Sequence, residues 1–258
     1  MMKKFVRYVC LTATLLIFSL LVRAQTTRVI VRAKAKDAKF LPATLGVHVT
    51  IRNNITGEVM AKGMAIGGSG STELIMADAV RRGQQLADEN TSKFEANLEL
   101  KEPTFVDIEV IASVNRRNGT KKITTQTWLI PGKPILGDGI VVEVPGFIVD
   151  VLSPTTQQYT RLSAVKDGKM PLKASVTMAC GCVISKGGTW NSEAFTINAI
   201  VKRNGKWQAE IPLRYAGTWN NFEAELPVDE KGDYEVHVYA YDPKTGNTGL
   251  DRINFTII

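Results

Sequence analysis

Residues 195–215 read FTINAIVKRNGKWQAEIPLRY, and the fold class turns on them. Phe195, Ile197, Ala199 and Val201 alternate with Thr196, Asn198 and Lys202, the period of two that sends successive side chains to opposite faces of a β-strand. Asn204-Gly205 follows, and these two residue types accept the positive φ angles that a two-residue type I′ turn demands. Residues 206–215 then form the returning strand. The pattern predicts a β-hairpin with one apolar face.

Working outward from that hairpin, strands are expected over residues 174–180, 222–226, 234–241 and 252–258, giving six or seven strands in roughly 100 residues. That is the size and spacing of an immunoglobulin-like sandwich. Two segments carry a family resemblance: DEKGDYEV at residues 229–236 and DPKTGNTG at residues 242–249. Gly232-x-Tyr234 ahead of a strand, then Asp242 and the Gly246-Asn247 turn ahead of a final strand, resemble the end of bacterial immunoglobulin-like domains. The resemblance spans residues 155–258 and implies a fold; adhesion, scaffolding and ligand binding are all compatible with it.

Toward the N-terminus, alternation predicts strands over residues 28–33, 46–52 and 58–64, the last two joined by the turn residues Asn53, Asn54, Thr56 and Gly57. A flexible connection at Gly67-Gly68-Ser69-Gly70 leads into residues 73–76 and then into a single helix expected over 77–89 from its composition. Strands resume over 94–100, 106–114 and 123–130. Val47, the Thr56-Gly57-Glu58 turn, Ala61, Gly63 and the glycine-rich turn after them resemble the transthyretin-like fold of carboxypeptidase regulatory-like domains. The expected helix departs from that pattern. Residues 140–152 are so apolar that they are read as a buried strand linking two domains, with the boundary near Pro154.

The first residues have a different character. Lys3, Lys4 and Arg7 precede an apolar stretch over residues 9–22 that ends near the small residue Ala24. This is the layout of a secretory signal peptide cleaved after Ala24. About 14 apolar residues fall short of the roughly 20 a helix needs to cross a bilayer, so no transmembrane anchor is expected in the mature chain. Cys10 stands at the start of the apolar stretch and leaves with it.

The whole chain of 258 residues carries 32 basic and 25 acidic residues, a formal charge of +7. Lys3, Lys4, Arg7 and Arg23 belong to the signal, so 32 less 4 leaves 28 basic residues against the same 25 acidic ones, about +3. No basic stripe interleaved with aromatics is visible, and nucleic acid is not an expected partner. Of three cysteines only Cys180 and Cys182 remain after cleavage. Hydrophobic cores, not a disulfide framework, must hold the chain together.

The reading is therefore an all-β chain of two tandem β-sandwich domains with one short helix in the first. Residues 1–24 are the signal, 25–153 a transthyretin-like or Ig-like sandwich, and 154–258 an immunoglobulin-like sandwich.

Met178-Ala179-Cys180-Gly181-Cys182 is the local sequence with the most distinctive chemistry. On an extended strand Met178, Cys180 and Cys182 share one face, and thioether plus thiolate is a soft donor set that favours copper(I). Met170 or a histidine is then a further ligand. Three other readings stand beside it: buried packing cysteines, a disulfide between near neighbours, or bonds to a partner protein. His48 and His237 alternate out of phase with the valines that flank them, which places both on the sheet face away from the core. With one histidine in each half, a three-histidine centre is excluded.

No Gly-x-Ser-x-Gly elbow, His-Glu-x-x-His pair or phosphate loop occurs, and Gly67–Ser71 is read as a hairpin connection. Asp242, Asn247 and Asp251 are a conceivable calcium cluster, or simply Asx residues that stabilise a turn. Trp190 and Trp219 each follow a Gly-Thr pair, and the sequence does not separate core from surface for them. The function that follows is an exported, non-catalytic cell-envelope protein that binds or scaffolds a protein or other envelope component. A periplasmic copper(I)-handling protein and a thiol-redox protein are the alternatives.

Overall fold

The computed structural model describes residues 23–76 and 79–258. The segment expected to be a signal, with Cys10, lies outside them except for its last residues. The chain is all-β and forms two tandem β-sandwiches.

In the first sandwich, β1 (Gln25–Ala35) lies between β4 (Phe94–Leu100), antiparallel to it, and β7 (Ile135–Val144), parallel to it. The facing sheet has the order β3 (Val59–Met64), β2 (Val47–Asn53), β5 (Thr104–Ala112), β6 (Lys121–Leu129). Period-two patterning produces the layers. Val47, Val49 and Ile51 are buried while His48 and Arg52 face solvent, and Phe94, Ala96, Leu98 and Leu100 alternate with exposed residues.

One helix, α1 (Thr72–Ile75), follows the glycine turn and is capped by Ser71, whose hydroxyl accepts from the Leu74 N–H. The helix expected over 77–89 is not found among the described residues of that segment, 79–89, which run as a non-helical strap. Tertiary contacts override composition here. Gly83 turns at φ +80°, and the Leu86 and Ala87 N–H groups donate to the Asp138 carboxylate instead of to helix carbonyls. The strap closes a small apolar cluster of Phe40, Ile75 and Ala87. Arg32 supports it from inside, with Nη1 donating to the carbonyls of Thr91 and Ser92 and the guanidinium 5.8 Å from the centre of the Phe40 ring.

The apolar run over 140–152 is two strands, not the single linking strand expected. Pro145 removes an N–H from the ladder, and Gly146 adopts φ +97° where a Cβ would fall 2.2 Å from the Thr248 carbonyl oxygen. Sheet membership changes at this point. β7 stays with β1, and β8 (Phe147–Ser153) pairs with β10 (Lys169–Met178) of the second sandwich.

The second sandwich sets the sheet β15 (Arg214–Tyr215), β16 (Asn221–Pro227), β10, β8 against the sheet β14 (Lys206–Pro212), β13 (Thr196–Arg203), β17 (Gly232–Tyr241), β18 (Thr248–Ile257), β9 (Gln158–Thr160), and a short parallel pair, β11 (Ile184–Ser185) and β12 (Trp190–Asn191), lies between β10 and β13 in the chain. Reading β8, β10, β13, β14, β15, β16, β17 and β18 as strands A, B, C, C′, D, E, F and G gives the immunoglobulin arrangement of ABED packed on C′CFG. The decisive hairpin has the expected turn, with Asn204 and Gly205 at φ +50° and +75°, both left-handed as a type I′ turn requires. Its returning strand, expected to run to Tyr215, ends at Pro212, and Arg214–Tyr215 crosses to the other sheet to pair with β16.

Tyr234, at the start of β17, donates its hydroxyl to the Glu230 carbonyl at 2.9 Å and stacks on Phe255 at 5.1 Å. That is the tyrosine corner of immunoglobulin-like domains. Gly232 precedes it at φ +144°, and the Asn204 side chain leaves no room there for a Cβ. The Gly-x-Tyr signal thus has a steric cause. Buried residues of both sandwiches form one continuous hydrophobic cluster. Among the described residues no helix is long and apolar enough to cross a membrane.

Candidate functional site

The sulfur motif lies at the end of β10, but not on it. The strand stops at Met178, where expectation carried it to Cys180. Ala179 and Cys180 form a turn closed by the Gly181 N–H donating to the Met178 carbonyl at 2.7 Å. Gly181 supplies the left-handed φ of +73° that ends the extended run. Met178 is wholly buried opposite Phe147, and Cys180 is 3% exposed.

Cys180 and Cys182 are joined to each other as a disulfide, with Cα atoms 5.3 Å apart. Of the readings open from sequence, the near-neighbour disulfide is the one found. The premise of three sulfurs aligned on a strand face does not hold, because the turn replaces the strand. A disulfide sulfur is not the thiolate that binds copper(I), so a soft donor pair exists here only after reduction.

Met170 is not a neighbour of this loop. It sits eight residues up the same strand, about 26 Å away at the rise of a β-strand. His48 is exposed on β2 and His237 half-buried on β17, each on the side away from the core. Neither belongs to the cysteine loop.

What the loop does face is the first sandwich. Gly181 packs against Leu45, 3.6 Å from where its Cβ would be, and the Ala179 N–H donates to the Gly146 carbonyl at 3.2 Å. Nearby, the Trp190 indole N–H donates to the Asp37 carbonyl at 3.0 Å. Asn247 spans the seam with both ends of its amide. Its Oδ1 accepts from the Gly146 N–H at 2.8 Å, and its Nδ2 donates to the Lys36 carbonyl at 3.1 Å.

The loop between β5 and β6 closes the other side. Gly119 abuts Ile148, Arg116 approaches Asp150 at 3.9 Å, and Lys121 Nζ lies 3.5 Å from the Phe147 carbonyl. Burial without a carboxylate partner pushes the Lys121 ammonium below its ordinary value.

The calcium candidates have other partners. Asp242 accepts from the Lys244 N–H and the Thr245 hydroxyl, which makes the Asx turn that was the alternative. Asp251 accepts from the Val151 and Arg252 N–H groups. Among the described residues no three of His, Cys, Asp and Glu converge as a metal site would require. The tryptophans separate: Trp190 is buried at the seam, and Trp219 is 71% exposed.

The outer face of the five-stranded sheet carries two polar clusters. Asn198 and the Tyr239 hydroxyl both donate to Glu210, holding its carboxyl below the usual carboxylate range, and Glu210 in turn raises the Tyr239 phenol. Glu235 accepts from Lys202 at 3.3 Å and is 2.8 Å from His237 Nε2. The seam role of Asn247 and Trp190 had no sequence signal, because each meets a backbone group more than 150 residues away.

No known family profile matches the sequence, and no curated protein does. Among solved structures, the chain aligns with the fibronectin(III)-like modules of Clostridium thermocellum CbhA at 10% identity, over 90% of this chain and 94% of that one, with a TM-score of 0.29. It aligns with the FN1–FN3 domains of chicken CNTN1 at 9% identity, over 91% and 63% of the two chains, with a TM-score of 0.27. At such scores, strand order, register and the tyrosine corner remain the basis for the fold class.

Proposed function

We propose that the chain is an exported, non-catalytic cell-envelope protein whose two β-sandwiches, locked as one rigid unit, bind or scaffold another component. One observation carries this reading: the amide of Asn247, in the second sandwich, clamps the Lys36 carbonyl of the first sandwich and the Gly146 N–H of the junction at once. A purpose-built, hydrogen-bonded seam with a continuous core fixes the relative placement of two surfaces, which is what a scaffold or a two-sided binder needs. The signal-like N-terminus supports export, with a mature chain beginning at Gln25.

The finer fold proposal for the first sandwich is the transthyretin-like one. It is supported by the β2–β3 hairpin around Thr56-Gly57-Glu58 and by the non-helical course of residues 79–89, which removes the departure from that pattern. The two domains are proposed to meet at Pro145-Gly146.

The test is cell fractionation with N-terminal sequencing, followed by cross-linking in the intact envelope. The expected result is a protein that begins at Gln25 outside the cytosol and forms one discrete cross-linked product, weakened in Asn247→Ala. A cytosolic protein with an uncleaved N-terminus, or an envelope protein with no cross-linked product, contradicts the proposal.

A further inference from the structure

Two grooves differ in how their charges are spent. The larger, about 750 Å³, runs beside β10 and β16. Its rim mixes both signs, Lys166, Lys169, Lys173 and Arg214 beside Asp167, Glu223 and Glu225, with Lys169 paired to Glu225 at 2.6 Å. The second, about 500 Å³, opens across the seam. Arg117 and Asn118 come to it from the β5–β6 loop of the first sandwich, and His237, Leu250 and Arg252 from β17 and β18 of the second, with Thr156 and Asp251 completing the wall.

The acids near this cleft are already engaged. Asp251 is buried and directs its two oxygens at the Val151 and Arg252 N–H groups, and Glu235 is taken by Lys202 and His237. Among the described residues Arg117 and Arg252 form no ion pair and no side-chain hydrogen bond. Two guanidiniums, one from each sandwich, thus line one concave site with their donors unspent. His237 stands directly across the strand pair from Arg252. Leu250, 48% exposed, gives the cleft an apolar side.

We infer that this interdomain cleft binds the carboxylate of a small acidic group, of the size of one sugar acid or one acidic amino-acid residue. A guanidinium fork matches a planar carboxylate in shape and charge. The volume lies within the range of small-ligand sites, which favour domain junctions. The two engaged acids beside the cleft favour a monoanion over a more highly charged ligand. Asn118 and Thr156 offer amide and hydroxyl groups to the neutral part of such a ligand, and Leu250 its apolar edge. The site is complete only while the sandwiches are docked, because Arg117 and Arg252 belong to different ones.

This deepens the binding reading and names the chemistry of one partner. The experiment is an NMR titration of the mature chain with glucuronate and with N-acetylglutamate, using glucose and N-acetylglutamine as uncharged counterparts. The expected result is saturable shifts of the Asn118 and Leu250 amides with at least one acid and none with its neutral counterpart. Arg117→Ala and Arg252→Ala should each weaken that binding about tenfold, as loss of one charge-assisted hydrogen bond does, with the remaining spectrum unchanged. Binding of glucuronate alone identifies a glycan source, and of N-acetylglutamate alone a peptide source.

No shift with either acid, equal shifts with the neutral compounds, or unchanged affinity in the Arg117→Ala/Arg252→Ala double variant overturns the inference. A chain that binds neither acid yet keeps its envelope cross-link loses the cleft and retains the broader reading.

Discussion

The side-chain amide of Asn247 donates to the Lys36 carbonyl across 211 residues of sequence. It is 1% exposed, and its other end accepts from the Gly146 N–H. Asn247→Ala removes both bonds and leaves a buried N–H and a part-buried carbonyl unmatched. The expected loss is about 2–3 kcal/mol of unfolding free energy, read by urea denaturation of the mature chain. A change within about 0.5 kcal/mol, the scale of a neutral surface substitution, would show that the bracket is not structural.

Tyr234 separates two contributions cleanly. Tyr234→Phe keeps the ring stacked on Phe255 and deletes the hydroxyl, with its bond to the Glu230 carbonyl and its contact with the Arg203 guanidinium. The corner bond is worth about 1–2 kcal/mol, so the variant should melt several degrees lower with the same fold by circular dichroism. An unchanged melting temperature would remove the corner from the list of stabilising contacts.

Lys121 predicts a pH dependence. Desolvation at the seam holds its folded-state pKa below the 10.5 of a solvated lysine, so the ammonium is less favoured in the native chain than in the unfolded one. The unfolded chain keeps its proton to higher pH, and stability therefore rises with pH between the depressed value and 10.5. The penalty is present in full below that window. Lys121→Met should be more stable than the parent at pH 7, with the difference shrinking as pH approaches 10.5. Lys34 shifts in the same direction but is common to both chains, so it cancels. A difference independent of pH would contradict the assignment.

The Cys180–Cys182 disulfide makes a prediction about metal. The purified mature chain, which lacks Cys10, should show no free thiol in a denaturing thiol titration and take up no copper(I) until it is reduced. If reduced protein binds one equivalent that Cys180→Ser does not, a copper-handling role becomes testable as a property of the reduced form. Stoichiometric copper in unreduced protein would contradict the pairing, and so would two titratable thiols.

Much of the fold was legible because β-structure writes itself in period two. The hairpin around Asn204-Gly205, the Val47–Ile51 face and the 94–100 strand were readable from local residues, since local sterics and one buried face decide them, while Gly232-x-Tyr234 was legible only as part of a family resemblance. The errors have a common origin in long-range partners. Residues 79–89 look helical by composition but give their N–H groups to Asp138. The 140–152 run looks continuous until Thr248 forbids a side chain at Gly146. The cysteine loop needed its turn geometry before its face could be known, and the Arg117–Arg252 cleft exists only once two distant segments meet. Asn247 was visible as a turn residue and invisible as a clamp.

On the proposed reading, the two sandwiches form one rigid body through the seam at Lys36, Gly146 and Asn247. Residual dipolar couplings measured on the backbone amides of the mature chain test it most directly. One alignment tensor should fit residues 25–144 and 147–258 together. Two tensors of different magnitude or orientation, one for each sandwich, would mean that the sandwiches move independently and that the seam does not lock them.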